Sequence, residues 1–313
     1  KNSTDELLHI AFLGGEPLLN FPLLKKVVEY CKQISADTGK KFSYTITTNG
    51  TLITDNIEKY LTENKIVCQI SLDGTKEKND VNRFFRNKKG SYDVIVEKTK
   101  SMRHMNLVTA RATVTPDNSD YKEIFNHLNE LEFRAIPIAI AQNMVDDEQF
   151  DKILSEYINY IFYFEELILT KQYAKAKKMT DLVNALEKIE FGNVRNNGCG
   201  AGRTMFAVDI DGTLYPCHRF VGERKFALGN IWTGSDNSKF LKMINVRNRD
   251  KCSKCWAQNL CLGCCPHENY TNTNNINLAS ERSCRMAKTI YEKLISVYIK
   301  MSDEDKKMMW PED

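Results

Sequence analysis

The chain has 313 residues, 42% hydrophobic and 27% charged, a composition typical of a globular protein with one large and one smaller domain. Its formal net charge of +3 is close to balance, and basic runs such as residues 175–178 are typical of solvated helix faces. Neither nucleic acid nor a membrane is therefore predicted as a partner. No apolar run reaches the roughly 18 residues that a membrane span needs, and no signal peptide opens the chain, so a cytoplasmic location is predicted.

The first half of the sequence alternates between two kinds of hydrophobic period. Apolar, β-branched runs typical of strands lie at residues 9–13, 42–47, 66–72, 108–114 and 135–141. Segments with a helical period lie near 22–35, 55–63, 92–105 and 120–131. This alternation predicts a parallel sheet covered by helices, and five strands in a row favour a partial barrel over a short open sheet.

Polar and glycine-rich residues follow several of these strands. They are Gly-Gly-Glu-Pro at 14–17, Thr-Asn-Gly at 48–50, Ser-Leu-Asp-Gly at 71–74 and Gln-Asn at 142–143. Each is an ordinary turn sequence when taken alone. The carboxyl ends of parallel strands share one rim, however, where barrel enzymes bind their ligands. Together the four segments predict a pocket on that rim.

Residues 146–189 have a helical pattern. Their aromatic stretch, residues 157–164, is interpreted as part of an apolar core rather than as a cofactor site. Cys31 and Cys68 stand alone in a helix and a strand, and both are interpreted as small buried hydrophobic residues. The composition changes at 191–197, which predicts a domain boundary.

Eight of the ten cysteines lie between Cys199 and Cys284. A disulfide framework is not expected in a large chain without a secretory signal, so this density indicates metal. Twelve residues separate Cys199 from Gly212, and four separate Gly212 from Cys217. Residues 205–215 read as a hairpin with an Asp-Gly turn, which would bring Cys199 and Cys217 to one centre.

The remaining cysteines form a second group, Cys-x2-Cys-x5-Cys-x3-Cys, followed by one more cysteine after eighteen residues. Its members are Cys252, Cys255, Cys261, Cys265 and Cys284, with Cys264 as an extra thiol. Zinc and iron–sulfur clusters both use such Cys-x2-Cys hooks, and a four-cysteine zinc site remains an alternative. The surplus over four thiols favours two metal centres.

These motifs resemble those of radical-SAM enzymes with a SPASM domain. The segments 14–17, 47–50 and 71–74 look like their GGEP motif and two later strand ends, and seven cysteines are spaced as in the SPASM signature. The resemblance implies an α/β fold with a partial (β/α)6 TIM-like barrel that lacks its first strand, over residues 1–190. It also implies a small cysteine-rich SPASM domain with a β-hairpin and helices, over residues 191–313.

The resemblance also implies ligands. S-adenosyl-L-methionine (SAM) would lie against Gly14, Gly15 and Glu16, with Asn49, Ser71 and Arg111 as further contacts; a structural salt bridge is the alternative for Arg111. One auxiliary [4Fe–4S] cluster would use Cys252, Cys255, Cys261 and Cys284. The other would use Cys199, Cys217 and Cys265, with one iron left open rather than bound by Cys264.

One expected motif is not in the sequence. Radical-SAM enzymes hold the SAM-binding cluster with Cys-x3-Cys-x2-Cys after the first barrel strand, and these residues contain no such motif. We expect that this strand and a third cluster precede Lys1 in the complete protein, and that the chain as given does not cleave SAM.

The hairpin end indicates the reaction. Cys217 is followed by His218, as in maturases that make Cys thioether links in ribosomally synthesised peptides (RiPPs) with a 5′-deoxyadenosyl radical. Sulfatase maturases, the alternative, resemble the chain but have an acid/base Asp there. His218 is a candidate catalytic acid/base or a hydrogen-bonding residue beside the cluster. The implied partners are a cysteine-rich precursor peptide and a reducing flavodoxin or ferredoxin. The non-enzyme alternatives are an Fe–S electron carrier and a zinc-stapled scaffold.

Overall fold

The structure is a computed structural model that describes residues 5–192 and 198–311, apart from the side chain of Asn143. The chain divides into two compact units. The first contains the residues up to Val183 together with those from Asp303 onward, and the second is Asn184–Ser302. The predicted domain limits, 1–190 and 191–313, stay a prediction, and most of the predicted boundary segment 191–197 lies outside the described residues.

The first unit contains five parallel strands that form a curled half-barrel, as predicted. The strands pair in chain order and are β1 Leu7–Phe12, β2 Lys41–Thr48, β3 Val67–Ser71, β4 Val108–Val114 and β5 Ile138–Ile140. Because the strands are parallel and consecutive, each is followed by helical segments that return the chain to the start of the next strand. All five strand ends therefore lie on one rim.

Most helices of this unit lie where the helical period predicts them, and α3 and α14 are additions. They are α1 Phe21–Thr38, α2 Asp55–Glu63, α3 Lys76–Asn82, α4 Tyr92–His104, α5 Tyr121–Glu130, α6 Asp147–Leu169, α7 Tyr173–Ala176, α8 Thr180–Glu190 and α14 Asp303–Met309. Helix α8 spans the boundary between the units. Short 3-10 turns follow β1 (Pro17–Asn20) and β5 (Gln142–Met144).

Local sequence sets several helix ends. The Thr54 and Asp120 side chains accept hydrogen bonds from backbone N–H groups in the first turns of α2 and α5. Asp146 and Gln149 form a reciprocal capping box at the start of α6. Helix α1 ends at Gly39, whose φ of 72° is a left-handed conformation that glycine adopts without steric cost.

The two faces of the sheet differ in polarity. Apolar side chains such as Ile46, Ile70 and Ala112 are fully buried on one face. The alternate residues, including Thr45, Thr47 and Gln69, are only half-buried, and Thr47 donates a hydrogen bond to the Gln69 side chain at 3.2 Å. The strands therefore combine an apolar outer face with a polar, accessible inner face, which suits a ligand site.

The aromatic stretch of α6 is part of the core, as interpreted. Tyr157, Tyr160 and Phe164 are at most 7% exposed, and Tyr160 stacks on Tyr121 with ring centroids 5.6 Å apart. Cys31 and Cys68 are buried too. Burial raises the pKa of the Cys68 thiol to about 12, which keeps it protonated and unreactive at neutral pH.

The second unit contains a small antiparallel sheet and several short helices. Its strands pair in order and are β6 Ala207–Val208, β7 Thr213–Tyr215, β8 Gly229–Asn230 and β9 Gly234–Ser235. Strands β6 and β7 form the predicted hairpin, with Asp209 and Thr213 joined across its turn. The helices are α9 Ser238–Ile244, α10 Asp250–Ser253, α11 Gln258–Cys261, α12 Pro266–Thr273 and α13 Glu281–Lys300.

Tyr215 and Phe220 lie at the centre of the apolar core of this unit. Phe220 makes edge contacts with Phe226 and Phe240, with ring centroids 4.8 and 5.6 Å apart. Cys217 belongs to the same cluster. No helix in the described part of the chain is both long and apolar enough to cross a membrane.

Candidate functional site

Glu16 joins the ends of β1 and β2 at the rim. Its carboxylate accepts hydrogen bonds from Leu18 N at 3.0 Å, Thr48 Oγ1 at 2.7 Å and Asn49 N at 2.8 Å. These three bonds fix the Gly-Gly-Glu-Pro loop against the next strand. The side chain of Glu16 is thus occupied in shaping the loop, and a ligand there would meet mainly backbone groups.

The glycines of this loop leave room for such a ligand. A Cβ atom added at Gly14 or Gly15 would have no described atom within 4 Å. Asn49, at the next strand end, uses its side-chain oxygen to accept from Thr51 N at 2.9 Å and Thr51 Oγ1 at 2.7 Å. Open backbone beside a polar turn is compatible with the amino-acid part of SAM.

Ser71 and Arg111 lie side by side on the inner face, because the two residues are register partners in β3 and β4. Both are half-buried. Arg111 also lies within electrostatic range of Asp181, a half-buried residue at the start of α8 whose carboxylate accepts from Ile138 N at 2.6 Å. Burial raises the pKa of Asp181, and that backbone bond and then Arg111 oppose the shift. Arg111 therefore has an acidic neighbour within the protein, and its role in SAM binding stays a prediction.

Sequence reasoning missed a network built on Asp73, two residues after β3. Its carboxylate accepts from Arg83 Nε at 2.6 Å and Nη2 at 3.0 Å, and from Thr113 N at 2.8 Å. Asn79 and Asn118 bind the Asp73 backbone at 3.2 and 2.6 Å. The network ties the ends of β3 and β4 together. The only hint of this network in the sequence was an Asp and an Arg that lie ten residues apart on either side of α3.

The first cysteine group has Cys217 as its middle member. Cys199 and Cys265 are both within electrostatic range of Cys217. Burial raises the pKa of Cys217 and of Cys265. Arg219 lies beside this group and donates to Cys265 Sγ at 3.6 Å and to Glu268 Oε1 at 2.7 Å. The group thus contains three thiols and a fixed cation.

The second cysteine group surrounds a cavity of about 480 Å³. Five thiols line it, those of Cys252, Cys255, Cys261, Cys264 and Cys284. The charged residues that line it are three cations, Lys251, Arg285 and Lys288, and two carboxylates, Glu281 and Glu292. Cationic residues around converging thiols suit an anionic iron–sulfur cluster. Among the described residues, no three His, Cys, Asp or Glu side chains have the arrangement of a single-ion site.

Cys264 is the extra thiol of this cavity. Its Sγ lies 3.5 Å from Cys261 Sγ and 3.7 Å from the carbonyl oxygen of Ser283. The hydrogen bond from Cys264 lowers the pKa of Cys261, and the same bond raises the pKa of Cys264. The two thiols are thus in direct contact on one wall of the cavity.

The surroundings of Arg249 show whether this site suits an anionic cluster. This residue was not predicted from the sequence. Its side chain is buried at 4% exposure, and its Nε has no hydrogen-bond partner in the described part of the chain. The thiols of Cys252, Cys264 and Cys261 act on it electrostatically. A buried cation beside converging thiols fits a site that receives negative charge. In the sequence, the hint of this counter-charge was an arginine three residues before a Cys-x2-Cys pair.

His218 is exposed and begins the 3-10 turn His218–Phe220 directly after Cys217. Its backbone O closes that turn by accepting from Val221 N. The side chain is thus accessible at the edge of the first cysteine group, which is compatible with either of its two predicted roles.

Two families match the chain. The Radical SAM superfamily matches residues 3–131, and the SPASM iron-sulfur cluster-binding domain matches residues 199–256. The chain therefore contains a Radical SAM domain and a SPASM domain over these residues. The matched ranges contain the rim with its Asp73 network and, in the second domain, four of the predicted cluster cysteines, Cys199, Cys217, Cys252 and Cys255.

Similar proteins include a cysteine-type anaerobic sulfatase-maturating enzyme of Clostridium novyi (strain NT), 26% identical, with 94% of this chain and 82% of the relative covered. The radical SAM cyclopropyl synthase TigE of Paramaledivibacter caminithermalis is 23% identical, with 92% of this chain and 60% of the relative covered. Among solved structures, native anSMEcpe with bound AdoMet and Cp18Cys peptide has a TM-score of 0.79 and 22% identity, covering 96% of this chain and 88% of that one. The structural likeness confirms the fold.

Proposed function

We propose that this radical-SAM SPASM enzyme modifies a ribosomally synthesised peptide by forming a thioether between a substrate cysteine and a second residue. One observation carries the proposal: Cys199 and Cys265 both lie within electrostatic range of Cys217, which makes a group of three thiols. A [4Fe–4S] cluster has four irons, so three protein ligands leave one iron for a substrate thiolate. Cys199 is exposed, which gives a peptide access to that position.

SAM would occupy the rim of the half-barrel. Its amino-acid part would lie along the backbone of Gly14 and Gly15, with Asn49, Ser71 and Arg111 providing polar contacts. Glu16 would position this loop through its three hydrogen bonds. When bound, SAM and the clusters would supply the substrate radical and accept the surplus electron.

The residues beside the first cysteine group would orient the peptide. His218 is exposed and would hold or accept a proton at the substrate, or hydrogen-bond beside the cluster. Arg219 is fixed by Glu268 and so keeps a cation next to Cys265. The partners in this proposal are a cysteine-rich precursor peptide and a low-potential flavodoxin or ferredoxin.

Sulfatase maturation is the second candidate. It is supported by the Clostridium novyi relative, which matches 94% of this chain. The residue after Cys217 separates the two candidates, since His218 stands where the sulfatase maturases have an acid/base Asp. The thioether proposal has the stronger support from this position.

The test is anaerobic turnover of SAM by the reduced full-length protein, with two peptide classes offered in parallel: a cysteine-rich precursor peptide and a sulfatase-derived cysteine peptide. Thioether formation predicts that a precursor peptide loses two hydrogen atoms, and that one cysteine resists alkylation. Fragmentation would show a link between two residues. Turnover of the sulfatase peptide alone would replace the thioether proposal with the second candidate, and release of no 5′-deoxyadenosine would contradict both.

A further inference from the structure

Arg249 is a buried arginine that no part of the proposed reaction uses. It precedes α10 and is 4% exposed. Its Nη1 donates to the carbonyl oxygen of Gly263 at 2.8 Å, and its Nη2 donates to that of Ile244 at 3.1 Å. Both acceptors are neutral, so these bonds hold the guanidinium in place without balancing its charge.

The titratable neighbours of Arg249 are thiols. In the described part of the chain no carboxylate forms an ion pair with it, and its Nε is without a hydrogen-bond partner. Cys252, Cys264 and Cys261 are the groups that act on it electrostatically. A buried cation is costly unless an anion compensates it. The anion that these surroundings offer is a cluster held by cysteine thiolates.

Gly263 shows how closely the arginine is fitted to the cysteine loop. Its φ is +81°, and a Cβ there would lie 2.4 Å from Arg249 Nη1. Glycine is therefore needed at this position for both the backbone conformation and the approach of the guanidinium. Arg249 is thus held against the loop that carries Cys261 and Cys264.

We infer that Arg249 is the counter-charge of the cluster bound by Cys252, Cys255, Cys261 and Cys284, and that it raises the reduction potential of that cluster. The inference rests on the cluster assignment within the proposed function, and is independent of the peptide substrate. Reduction adds one electron, taken from a low-potential flavin or iron–sulfur donor, and makes the cluster more negative. A cation fixed beside it in a water-poor site stabilises the reduced form.

Two variants of Arg249 separate its charge from its hydrogen bonds. Arg249→Gln removes the positive charge and can keep one hydrogen bond to a carbonyl oxygen. Arg249→Lys keeps the positive charge and loses the two-pronged guanidinium that bonds both carbonyl oxygens. The exposed Arg247, two residues away, gives the matched control Arg247→Gln. The measurement is a redox titration of the full chain followed by electron paramagnetic resonance, with iron counted in each sample.

The Gln variant is expected to retain its iron. The equilibrium constant for reduction of one cluster should fall roughly tenfold, which lowers the reduction potential of that one transition by about 59 mV for one electron. The other transition should not change. The Lys variant and the Arg247 control should titrate like the wild type. If the Gln variant does not bind the cluster, a Lys variant with normal iron and potential still supports a charge role. An unchanged potential in an iron-replete Gln variant overturns the inference, and so does iron loss in a folded Lys variant. Wild type without iron would instead refute the cluster assignment itself.

Discussion

At the scale of single residues, burial separates the cysteines that can bind metal from those that only pack in the core. Cys68 is buried in β3 with a raised pKa, whereas the cavity thiols lie next to one another and to cations. Spacing alone does not separate Cys261 from Cys264, since both are near enough to Cys255 to complete a hook. Their Sγ atoms lie 3.5 Å apart on one cavity, so position does not separate them either, and the distinction rests on the SPASM pattern that the chain resembles.

From the SPASM pattern, Cys264 is predicted to be a neighbour of the cluster and not a ligand. The Cys264→Ala variant should keep the iron and sulfide content of the wild type, because all four assigned ligands remain. The matched Cys261→Ala variant should lose the irons of one cluster, roughly half of the total of about eight. Iron loss from Cys264→Ala, with Cys261→Ala unaffected, would exchange the roles of the two residues.

Asp181 gives a pH-dependent prediction. Because burial raises its pKa, the folded protein holds this proton more tightly than the unfolded chain does. Its contribution to stability is full below the unfolded pKa of about 3.9 and is lost as the pH rises through the raised folded value. The Asp181→Asn variant, which can still accept from Ile138 N, should thus gain thermal stability relative to wild type between about pH 4 and about pH 7.

The control for this prediction is the exposed Asp117→Asn variant, which should follow the wild type at every pH. Unfolding midpoints measured by circular dichroism at both pH values provide the comparison. If the difference between Asp181→Asn and wild type has the opposite sign, the carboxylate is stabilised by Arg111 more than burial destabilises it.

At the scale of elements, the half-barrel was predictable because its strands and helices have distinct hydrophobic periods. Strand β4 lies at the predicted residues 108–114, and the helix near 55–63 was predicted with both ends correct. Helix α3 was not predicted, since its seven residues are mainly polar and carry little periodicity. Its formation depends on the bonds that Asn79 and Arg83 make to Asp73, which connect residues that the local pattern cannot relate.

The Asp73–Arg83 pair is expected to stabilise this part of the rim. Asp73 has a side chain 6% exposed and Arg83 one 27% exposed. Arg83→Met should lower the free energy of unfolding by roughly 3 kcal/mol, since it leaves a buried carboxylate without its cation. In the double variant with Asp73→Asn the loss should be smaller than the sum of the two single losses. Urea denaturation of the four proteins measures this coupling, and strict additivity would show that the two residues act independently.

At the scale of the whole molecule, the sequence predicted the two sets of cysteines better than it predicted the groups around them. The fixed Cys-x2-Cys spacing identifies metal-binding thiols, because two cysteines on one short turn present their sulfur atoms to the same metal centre. The cations at these thiols come from elsewhere in the chain. Arg249 reaches the loop of Gly263 and Arg219 reaches Cys265, contacts that only the folded chain defines.

Chain segments also meet in ways that the linear order conceals. The residues from Asp303 onward group with the first unit, although more than a hundred residues separate them in sequence from the rest of it. Asp305 in α14 accepts from Lys171 Nζ and from Tyr173 OH, both at 2.7 Å. These bonds attach the final helix to the α6–α7 region. A polar helix of seven residues gives no sign of such a partner in its own sequence.

The central claim is that seven of the eight cysteines from Cys199 to Cys284 hold iron–sulfur clusters. The most direct test is iron, sulfide and zinc analysis of anaerobically prepared protein, together with its visible spectrum. The account predicts about eight irons and about eight sulfides per chain with broad charge-transfer absorption, as two [4Fe–4S] clusters require. A colourless protein with stoichiometric zinc would contradict it, and would make these cysteines a structural zinc site.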